Sequence, residues 1–472
     1  MSEPRRIIPI QPILALPGVE AANKVQARAT RGRFTSWRRV CLAATQLFFL
    51  VLPWLNWHGR QMVRFDLEAQ RFYLGSVILL PQDLILLAGL LLFCAMGLFM
   101  VTTLWGRVWC GFSCPQTVYT ELFMWVERRF EGDRYQRIRL DHASWGIEKL
   151  WRRGGKHLAW VLIALWTGLT FVGWFSPMRE LAHGVSSATL GFWDGFWALF
   201  YGGFCYLNAG LLREKVCLHM CPYGRFQGAL MDADTRIVAY DALRGEPRGA
   251  SRQVREGEAR GACIDCTMCV QVCPTGIDIR EGLQPACIAC GLCIDACDQI
   301  MDKIGQPRGL VRLATQRQLA AGASNAGTMP SWARHRVSIY GGLMAAILLA
   351  FVWTIDERPD VRVDIIRDRG VMARWVEDGA VENVYRVQLM NQTDDPQSIR
   401  IGVSGLTGAM ANAAPVELGP VDARMVQVSV RIPASQAVAM AGHTTQIRFE
   451  VASRSPDHSG LVSESSTFMV PR

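Results

Sequence analysis

Five long apolar stretches, two evenly spaced runs of four cysteines and a tail of alternating apolar and polar residues predict a chain built from three kinds of fold. The predicted fold class is a polytopic α-helical membrane bundle of about five spans, a bacterial-ferredoxin-like α+β domain and a C-terminal all-β immunoglobulin-like sandwich. The 472 residues are 50% hydrophobic and 19% charged. This composition excludes a disordered chain, and the charged fraction excludes a protein made only of membrane helices.

The membrane bundle is predicted from stretches close to the length of about 20 residues that a helix needs to cross a bilayer. The stretches are 41–57, 77–105, 157–175, 190–212 and 337–355. They divide the chain into a basic arm (1–40), a bundle (41–222) with a loop at 106–156, a cysteine-rich domain (223–336), a fifth transmembrane helix (337–355) and a C-terminal domain (356–472).

The distribution of basic residues predicts how the chain is oriented. Segments 1–40 and 106–156 carry eight and ten lysines and arginines, whereas loops 58–76 and 176–189 carry three and one. By the positive-inside rule, the N-terminus, the 106–156 loop and the cysteine-rich domain face the cytoplasm. Five spans then place the C-terminal domain on the far side of the membrane. Because the charges flank apolar spans and are mixed with acids, we expect lipid, and no nucleic acid, as the partner of these segments.

The C-terminal domain is predicted to be a β-sandwich from its period-two pattern. Segments 361–368, 384–391, 398–405, 424–432 and 445–453 each alternate apolar and polar residues, with turn residues between them. Several short strands in about 115 residues are typical of an immunoglobulin-like sandwich. All 15 cysteines of the chain lie at or before Cys297, so this domain lacks the disulfide of an antibody domain.

The strongest chemical signal is a doubled C-x2-C-x2-C-x3-C run. Three cysteines spaced by two residues can bind one cubane from a tight loop, and the fourth cysteine of such a run binds the other cluster. We therefore predict two 4Fe–4S clusters. The ligands are Cys263, Cys266, Cys269 and Cys297 for the first cluster, and Cys287, Cys290, Cys293 and Cys273 for the second. A zinc site would need only four of these eight cysteines, typically as two C-x2-C pairs.

A second constellation is a C-x3-C-P motif that follows an apolar stretch twice. The cysteines are Cys110 and Cys114 in the first motif, and Cys217 and Cys221 in the second. On a helix, residues i and i+4 share a face, so each pair is expected to present two thiols together. Soft thiolates favour Cu(I), zinc or an iron–sulfur centre, and His219 and Met220 are candidate extra ligands. The alternatives are buried structural thiols or a redox disulfide.

At this point the chain resembles the FixG/RdxA/CcoG family of cytochrome c oxidase accessory proteins. The resemblance extends over nearly the whole length and rests on blocks such as PWLNWHGRQ, GRVWCGFSCPQTVYTELFMWVERRFEGD, REKVCLHMCPYGRFQ and CVQVCPTGIDIREGLQPACIACGLCIDACDQIMDKIGQPRGL. His219 stands where the family is expected to have an aromatic residue. The resemblance implies a protein of the bacterial inner membrane with two cytoplasmic 4Fe–4S clusters, a periplasmic immunoglobulin-like tail and a role in assembling cbb3-type oxidase. It also implies a cupric reductase whose suspected copper site is the four C-x3-C-P cysteines.

The leading hypothesis is therefore a metalloreductase that reduces Cu(II) to Cu(I) and acts through Cys110, Cys114, Cys217 and Cys221. Its expected partners are a quinol or flavoprotein donor, a copper chaperone or transporter, and the oxidase assembly machinery; a homodimer is compatible with the sequence. One alternative is a quinol-linked polyferredoxin carrier, for which Asp83, Asp194 and Asn208 are the polar residues within the spans. Another is an assembly scaffold that docks a partner on the sandwich edge.

Overall fold

The computed structural model describes residues 25–249, 261–322, 334–367, 373–376, 379–455 and 459–471. The described residues form two compact units. One unit combines the residues up to Leu55 with Ile85–Leu349, and the other combines Asn56–Leu84 with the residues from Ala350 onward. Most of the predicted basic arm, residues 1–24, lies outside the described residues.

The first unit is mostly helical. Its helices, with the end of α14 included, are α1 (Arg33–Val51), α2 (Leu84–Trp105), α3 (Val108–Phe112), α4 (Pro115–Glu131), α5 (Arg134–His142), α6 (Ile147–Val172), α7 (Met178–Ser186), α8 (Phe192–Cys205), α9 (Pro222–Leu230), α10 (Ala242–Gly245), α11 (Met268–Gln271), α12 (Leu292–Lys303), α13 (Gln316–Ala320) and α14 (His335–Asp356). Two π-helical segments, Tyr206–Leu212 and Val216–Met220, lie between α8 and α9.

Three of these helices are long and apolar enough to cross a membrane, namely α2, α6 and α14. They correspond to the second, third and fifth predicted spans. The first predicted span coincides with α1, which has 19 residues and begins with the basic sequence RFTSWRR. The fourth corresponds to α8, which has 14 residues and continues as the first π-helical segment. The basic residues of α1 lower its mean hydropathy. The change from α-helix to π-helix after Cys205 makes α8 short.

The ends of two predicted spans are strands instead of helix. Short antiparallel strands occupy the region between α1 and α2: β1 (Asn56–Trp57), β2 (Arg60–Gln61), β3 (Val63–Asp66), β4 (Arg71–Leu74) and β5 (Val77–Leu79). Consequently the first span ends before residue 57, and α2 begins at Leu84 instead of at residue 77. These strands belong to the unit of the C-terminal domain, so the predicted bundle of residues 41–222 is interrupted.

The cysteine-rich region has one two-stranded antiparallel sheet, formed by β6 (Ile237–Tyr240) and β7 (Val311–Ala314). Both strands and helix α12 contribute buried apolar side chains, among them Val238, Ile294 and Val311, to one small core. The same core includes cysteines of both predicted cluster-binding runs. Packing of this core therefore fixes the loops that carry the cysteines.

The C-terminal domain is a sandwich of two antiparallel sheets. Its elements are β8 (Val361–Arg367), β9 (Arg374–Trp375), β10 (Val381–Asn391), β11 (Gln397–Ser404), β12 (Met410–Asn412), β13 (Val416–Leu418), β14 (Ala423–Ile432), α15 (Ala434–Ala439), β15 (Thr444–Arg454) and β16 (Ser459–Met469). One sheet has the order β12-β14-β10-β8, with β9 also paired to β10, and the other has the order β13-β11-β15-β16. The rings of Tyr385 and Phe449 meet between the sheets at 5.0 Å. All five predicted strands are present.

Candidate functional site

The cysteines predicted to bind the first cluster surround one cavity. Cys263, Cys266, Cys269 and Cys297 line a cavity of about 370 Å³ together with side chains that include Tyr240. Three of these thiols come from the loop before and within α11, and the fourth comes from α12. Asp265 and Thr267 adopt left-handed backbone conformations, which fold the loop tightly between successive cysteines.

The cysteines predicted for the second cluster surround a second cavity. Cys273, Cys287, Cys290 and Cys293 line this cavity, which measures about 350 Å³. Here the left-handed residues are Ala289 and Gly291, at the positions that correspond to Asp265 and Thr267 in the first run. The fourth cysteine of each run lines the cavity of the other run, as the spacing predicts.

The donor set of each cavity matches the ligand set of a 4Fe–4S cluster. Each cavity is lined by the four thiols predicted for one cluster, and four cysteine thiolates are what such a cluster needs. Burial raises the pKa of the Cys287 thiol to about 12 and that of Cys290 to about 11, and the neighbouring Cys273 thiol adds to both shifts. Thiolates this close together are stabilised by a cationic group between them, and the iron of a cluster is such a group.

Each C-x3-C-P motif lies at a helix junction. Cys110 lies within α3, and Cys114 is the extended residue immediately before Pro115, the first residue of α4. Likewise Cys217 lies in the second π-helical segment, and Cys221 is the extended residue before Pro222, the first residue of α9. The prediction that each pair lies on one helical face is therefore wrong. Proline disfavours helical backbone in the residue before it, so each motif breaks between its two cysteines.

The four C-x3-C-P cysteines nevertheless lie near one another, and three of them lie near Arg107. The Arg107 side chain is within electrostatic range of Cys110, Cys217 and Cys221, and also of Cys287 of the second cavity. Burial, together with the neighbouring thiols Cys114, Cys110 and Cys221, raises the pKa of Cys217 to about 12. Burial likewise raises the pKa of Cys110 to about 11. The thiols of the two motifs therefore form one electrostatically coupled group.

The two candidate extra ligands lie at the protein surface. His219 is exposed, and Met220 is 56% exposed on the second π-helical segment. Both side chains are therefore more exposed than the half-buried Cys217 on the same segment.

The first C-x3-C-P motif contacts the loop of the second cavity. The Cys110 side chain packs against a small buried core that contains Cys290, and Cys293 packs against the same core. Next to it, a methyl group built on Gly111 would lie 2.6 Å from the carbonyl oxygen of Ile288, so only glycine allows this approach. The Arg107 guanidinium donates hydrogen bonds to the carbonyl oxygens of Gly224, at 2.7 Å, and of Pro285. It thereby ties together both motifs and the loop of the second cavity.

Sequence reasoning missed three residues of this site: Arg107, Gly111 and Gln227. All three lie within the blocks that carry the family resemblance, beside the cysteines. The Gln227 amide nitrogen lies 3.2 Å from the Cys110 sulfur, a contact between residues 117 positions apart. No local pattern predicts such a pairing, because it depends on how two helices dock.

Three family models match parts of this chain. A family model described as a 4Fe-4S dicluster domain matches residues 212–316, and one described as a 4Fe-4S binding domain matches residues 87–132. A third, described as the IG-like fold at the C-terminus of FixG, matches residues 351–471. These matches confirm the predicted iron–sulfur and immunoglobulin-like parts.

Two curated proteins resemble most of the chain. Protein RdxA of Cereibacter sphaeroides is 39% identical over 394 residues, which cover 81% of this chain and 82% of that protein. Nitrogen fixation protein FixG of Rhizobium meliloti is 35% identical over 455 residues, which cover 88% and 85%. The crystal structure of a FixG-related protein from Vibrio parahaemolyticus matches 24% of this chain and 97% of its own, with 19% identity and a TM-score of 0.21.

Proposed function

Because the chain belongs to the FixG/RdxA family of iron–sulfur electron-transfer proteins, we propose that it is a membrane-bound cupric reductase that supplies Cu(I) for assembly of a cbb3-type cytochrome c oxidase. The observation that supports this proposal is the contact between Cys110 and the small core that contains Cys290, against which Cys293 also packs. This contact puts a group of four thiols directly beside a predicted cluster site. A redox centre and a soft-metal site in contact are suited to reducing a soft metal ion.

The proposed role of each group of cysteines follows from the ligands that it offers. Cys263, Cys266, Cys269 and Cys297 would hold one 4Fe–4S cluster, and Cys287, Cys290, Cys293 and Cys273 would hold the other. When bound, such clusters carry single electrons, and reducing one Cu(II) ion to Cu(I) consumes one electron. Cys110, Cys114, Cys217 and Cys221 would bind copper as substrate, since thiolate ligands select Cu(I).

Two features of the surroundings partly offset the burial that raises the pKa of Cys110, Cys114 and Cys217. Cys114 and Cys221 each stand at the N-terminus of a helix, where the helix dipole stabilises negative charge. The cationic Arg107 side chain adds to this effect on Cys110, where it lowers the pKa against the larger effect of burial. The two helix N-termini and Arg107 therefore provide positive potential at the thiols without themselves binding the metal.

The topology and partners complete the proposal. The N-terminus and the iron–sulfur domain would face the cytoplasm, and the C-terminal sandwich would face the periplasm. A quinol or flavoprotein would donate electrons, and a copper chaperone or transporter would accept Cu(I). α2, α6 and α14 would anchor the protein in the lipid.

An anaerobic Cu(II) titration of the purified, reduced protein tests the proposal. Absorbance reports the oxidation state of the clusters, and a specific chelator traps Cu(I). We expect stoichiometric Cu(I), and we expect its loss when Cys110, Cys114, Cys217 and Cys221 are all replaced by serine. The matched control is Cys94→Ser, because Cys94 is exposed on α2 and belongs to neither cysteine constellation. Cu(I) that forms equally well in the quadruple variant would contradict the copper assignment.

A quinol-linked electron carrier is the second candidate. Of the polar residues expected to serve it, Asp83 forms ion pairs with Arg358 and Arg362, and Asp194 accepts a hydrogen bond from the Ser176 hydroxyl. These contacts are structural. A different pair favours the candidate: His157 Nδ1 and the Tyr206 hydroxyl lie 2.8 Å apart beside helix α6, where they could bind a quinol oxygen. Cluster oxidation by a quinone analogue, with none by Cu(II), would select this function instead.

A further inference from the structure

Gln227 joins the two C-x3-C-P motifs. It lies on α9, the helix that begins immediately after Cys221, and its side chain is fully buried. Its amide nitrogen donates a hydrogen bond to the Cys110 sulfur at 3.2 Å. A residue of the second motif's helix thus touches a thiol of the first motif.

A purely structural role does not explain a glutamine at this position. The Gln227 amide oxygen is buried and has no hydrogen-bond partner among the described residues. Burying an unpaired amide oxygen destabilises a protein, whereas an apolar side chain of similar size would fill the same space without this cost. The feature that only the amide provides is the N–H group directed at sulfur.

A hydrogen bond to a metal-bound sulfur changes the properties of the metal. The N–H group withdraws electron density from the thiolate, which favours the more electron-rich oxidation state of the metal. At Cys110 that state is Cu(I). Cys110 is also the C-x3-C-P thiol that packs against the core containing Cys290, so it is where an electron from the second cluster site would arrive.

We infer that Gln227 is a positioning residue that tunes the four-thiol site toward Cu(I) by donating its amide N–H to the Cys110 sulfur. This inference rests on the proposed function, because it takes copper as the ion bound there. It gives a residue that is not itself a copper ligand a role in the preference of the site for Cu(I) over Cu(II).

The test compares Gln227→Met with Gln116→Met in the full-length protein. Both glutamines lie near the two motifs, but the Gln116 amide nitrogen donates to the carbonyl oxygens of Asn208, at 2.9 Å, and Arg213, at 3.1 Å, and not to sulfur. Gln116→Met therefore removes hydrogen bonds to two backbone carbonyl oxygens and leaves the side-chain hydrogen bond to the Cys110 sulfur in place. A further variant, Gln227→His, retains an N–H donor.

Two readouts are needed. The first is Cu(I) affinity at pH 7, measured by chelator competition. We expect it to weaken by about 10- to 100-fold in Gln227→Met, the usual effect of removing an outer-shell partner, with partial recovery in Gln227→His and little change in Gln116→Met. The second uses copper-free protein: the alkylation rate of Cys110 at one fixed pH, resolved by mass spectrometry. We expect it to slow in Gln227→Met alone.

The outcomes separate this inference from the proposed function. If the wild-type protein binds no Cu(I), the proposed function fails, whereas the alkylation rate still tests the hydrogen bond. If the wild-type protein binds Cu(I) and Gln227→Met matches it in both readouts, the role of Gln227 is refuted. If Gln227→Met loses iron or unfolds, Gln227→His decides the question, because a variant with full iron content and weak Cu(I) binding would show that an N–H donor is not sufficient.

Discussion

Replacing Gly111 by alanine should loosen the junction between the first C-x3-C-P motif and the loop of the second cavity. Gly111 is buried and follows Cys110 directly. A methyl group at this position would lie 2.6 Å from the Ile288 carbonyl oxygen and 3.0 Å from the backbone nitrogen and Cα of Cys290. Backbone atoms cannot rotate away as a side chain can, so either α3 or the cysteine loop must shift.

The expected cost is about 1–3 kcal/mol, the range for inserting a methyl group into packed protein. The strain falls on the loop that carries Cys287 and Cys290, so the second cavity should lose iron before the first. The control is Gly154→Ala on α6, because no atom of the described residues lies within 4 Å of the methyl group it would add. In a helix, that substitution should stabilise by about 0.5–1 kcal/mol.

The assay is iron and sulfide content together with the thermal midpoint of anaerobically purified protein, with electron paramagnetic resonance to distinguish the two clusters. We expect Gly111→Ala to have less iron, a lower midpoint and slower oxidation by Cu(II) than Gly154→Ala. Equal iron content and equal midpoints in the two variants would refute the claim that the motif and the loop are in tight contact.

Three further predictions concern buried charge. Glu127→Gln should destabilise the protein by about 3–5 kcal/mol in thermal unfolding, because the fully buried carboxylate faces three cationic side chains. The control is Glu148→Gln, which should cost under about 1 kcal/mol because Glu148 is exposed. Asp295→Asn should weaken the start of α1 by about 1.5–3 kcal/mol, seen as faster hydrogen exchange there, because this carboxylate accepts three hydrogen bonds from residues 34 and 35. Burial acts to raise the pKa of Glu382, but the hydrogen bonds from Arg374 and Ser429 and the positive charges of Arg374 and Arg431 together outweigh it, so the pKa is lowered. The stabilisation from these contacts is therefore present above the ordinary glutamate pKa and is lost as the pH falls through the lower folded value, so Glu382→Gln should flatten the acid limb of a stability–pH curve.

The parts of the fold that the sequence predicts well are those with a short repeat. Alternation by two locates the five main strands of the sandwich, because one face of each strand must be apolar. The cysteine spacing predicts which thiols share a cavity, since Cys273 and Cys297 each line the cavity of the other run. In both cases the constraint is local in the chain or is carried by a repeated motif.

The parts that the sequence does not predict depend on breaks in regular structure. Hydropathy alone merges the strands β1 and β5 with the neighbouring apolar helices, because short buried strands and helix ends have similar composition. Helical periodicity also fails at the C-x3-C-P motifs. There the prolines at 115 and 222 start new helices, and the cysteines before them become extended.

Helix α1 shows why hydropathy is an incomplete guide to this chain. Its first turns are basic, and Arg38 is buried, donating from its Nε atom to the Gly111 carbonyl oxygen at 3.0 Å. The start of the same helix is held by Asp295, which lies between Cys293 and Cys297 in the second cysteine run. One helix therefore clamps the first C-x3-C-P motif to the ligand loops of the iron–sulfur domain. The apolar half of α1 predicts a membrane span, whereas its charged half fixes the distance between the two cysteine constellations. The proposed electron transfer to copper depends on that distance.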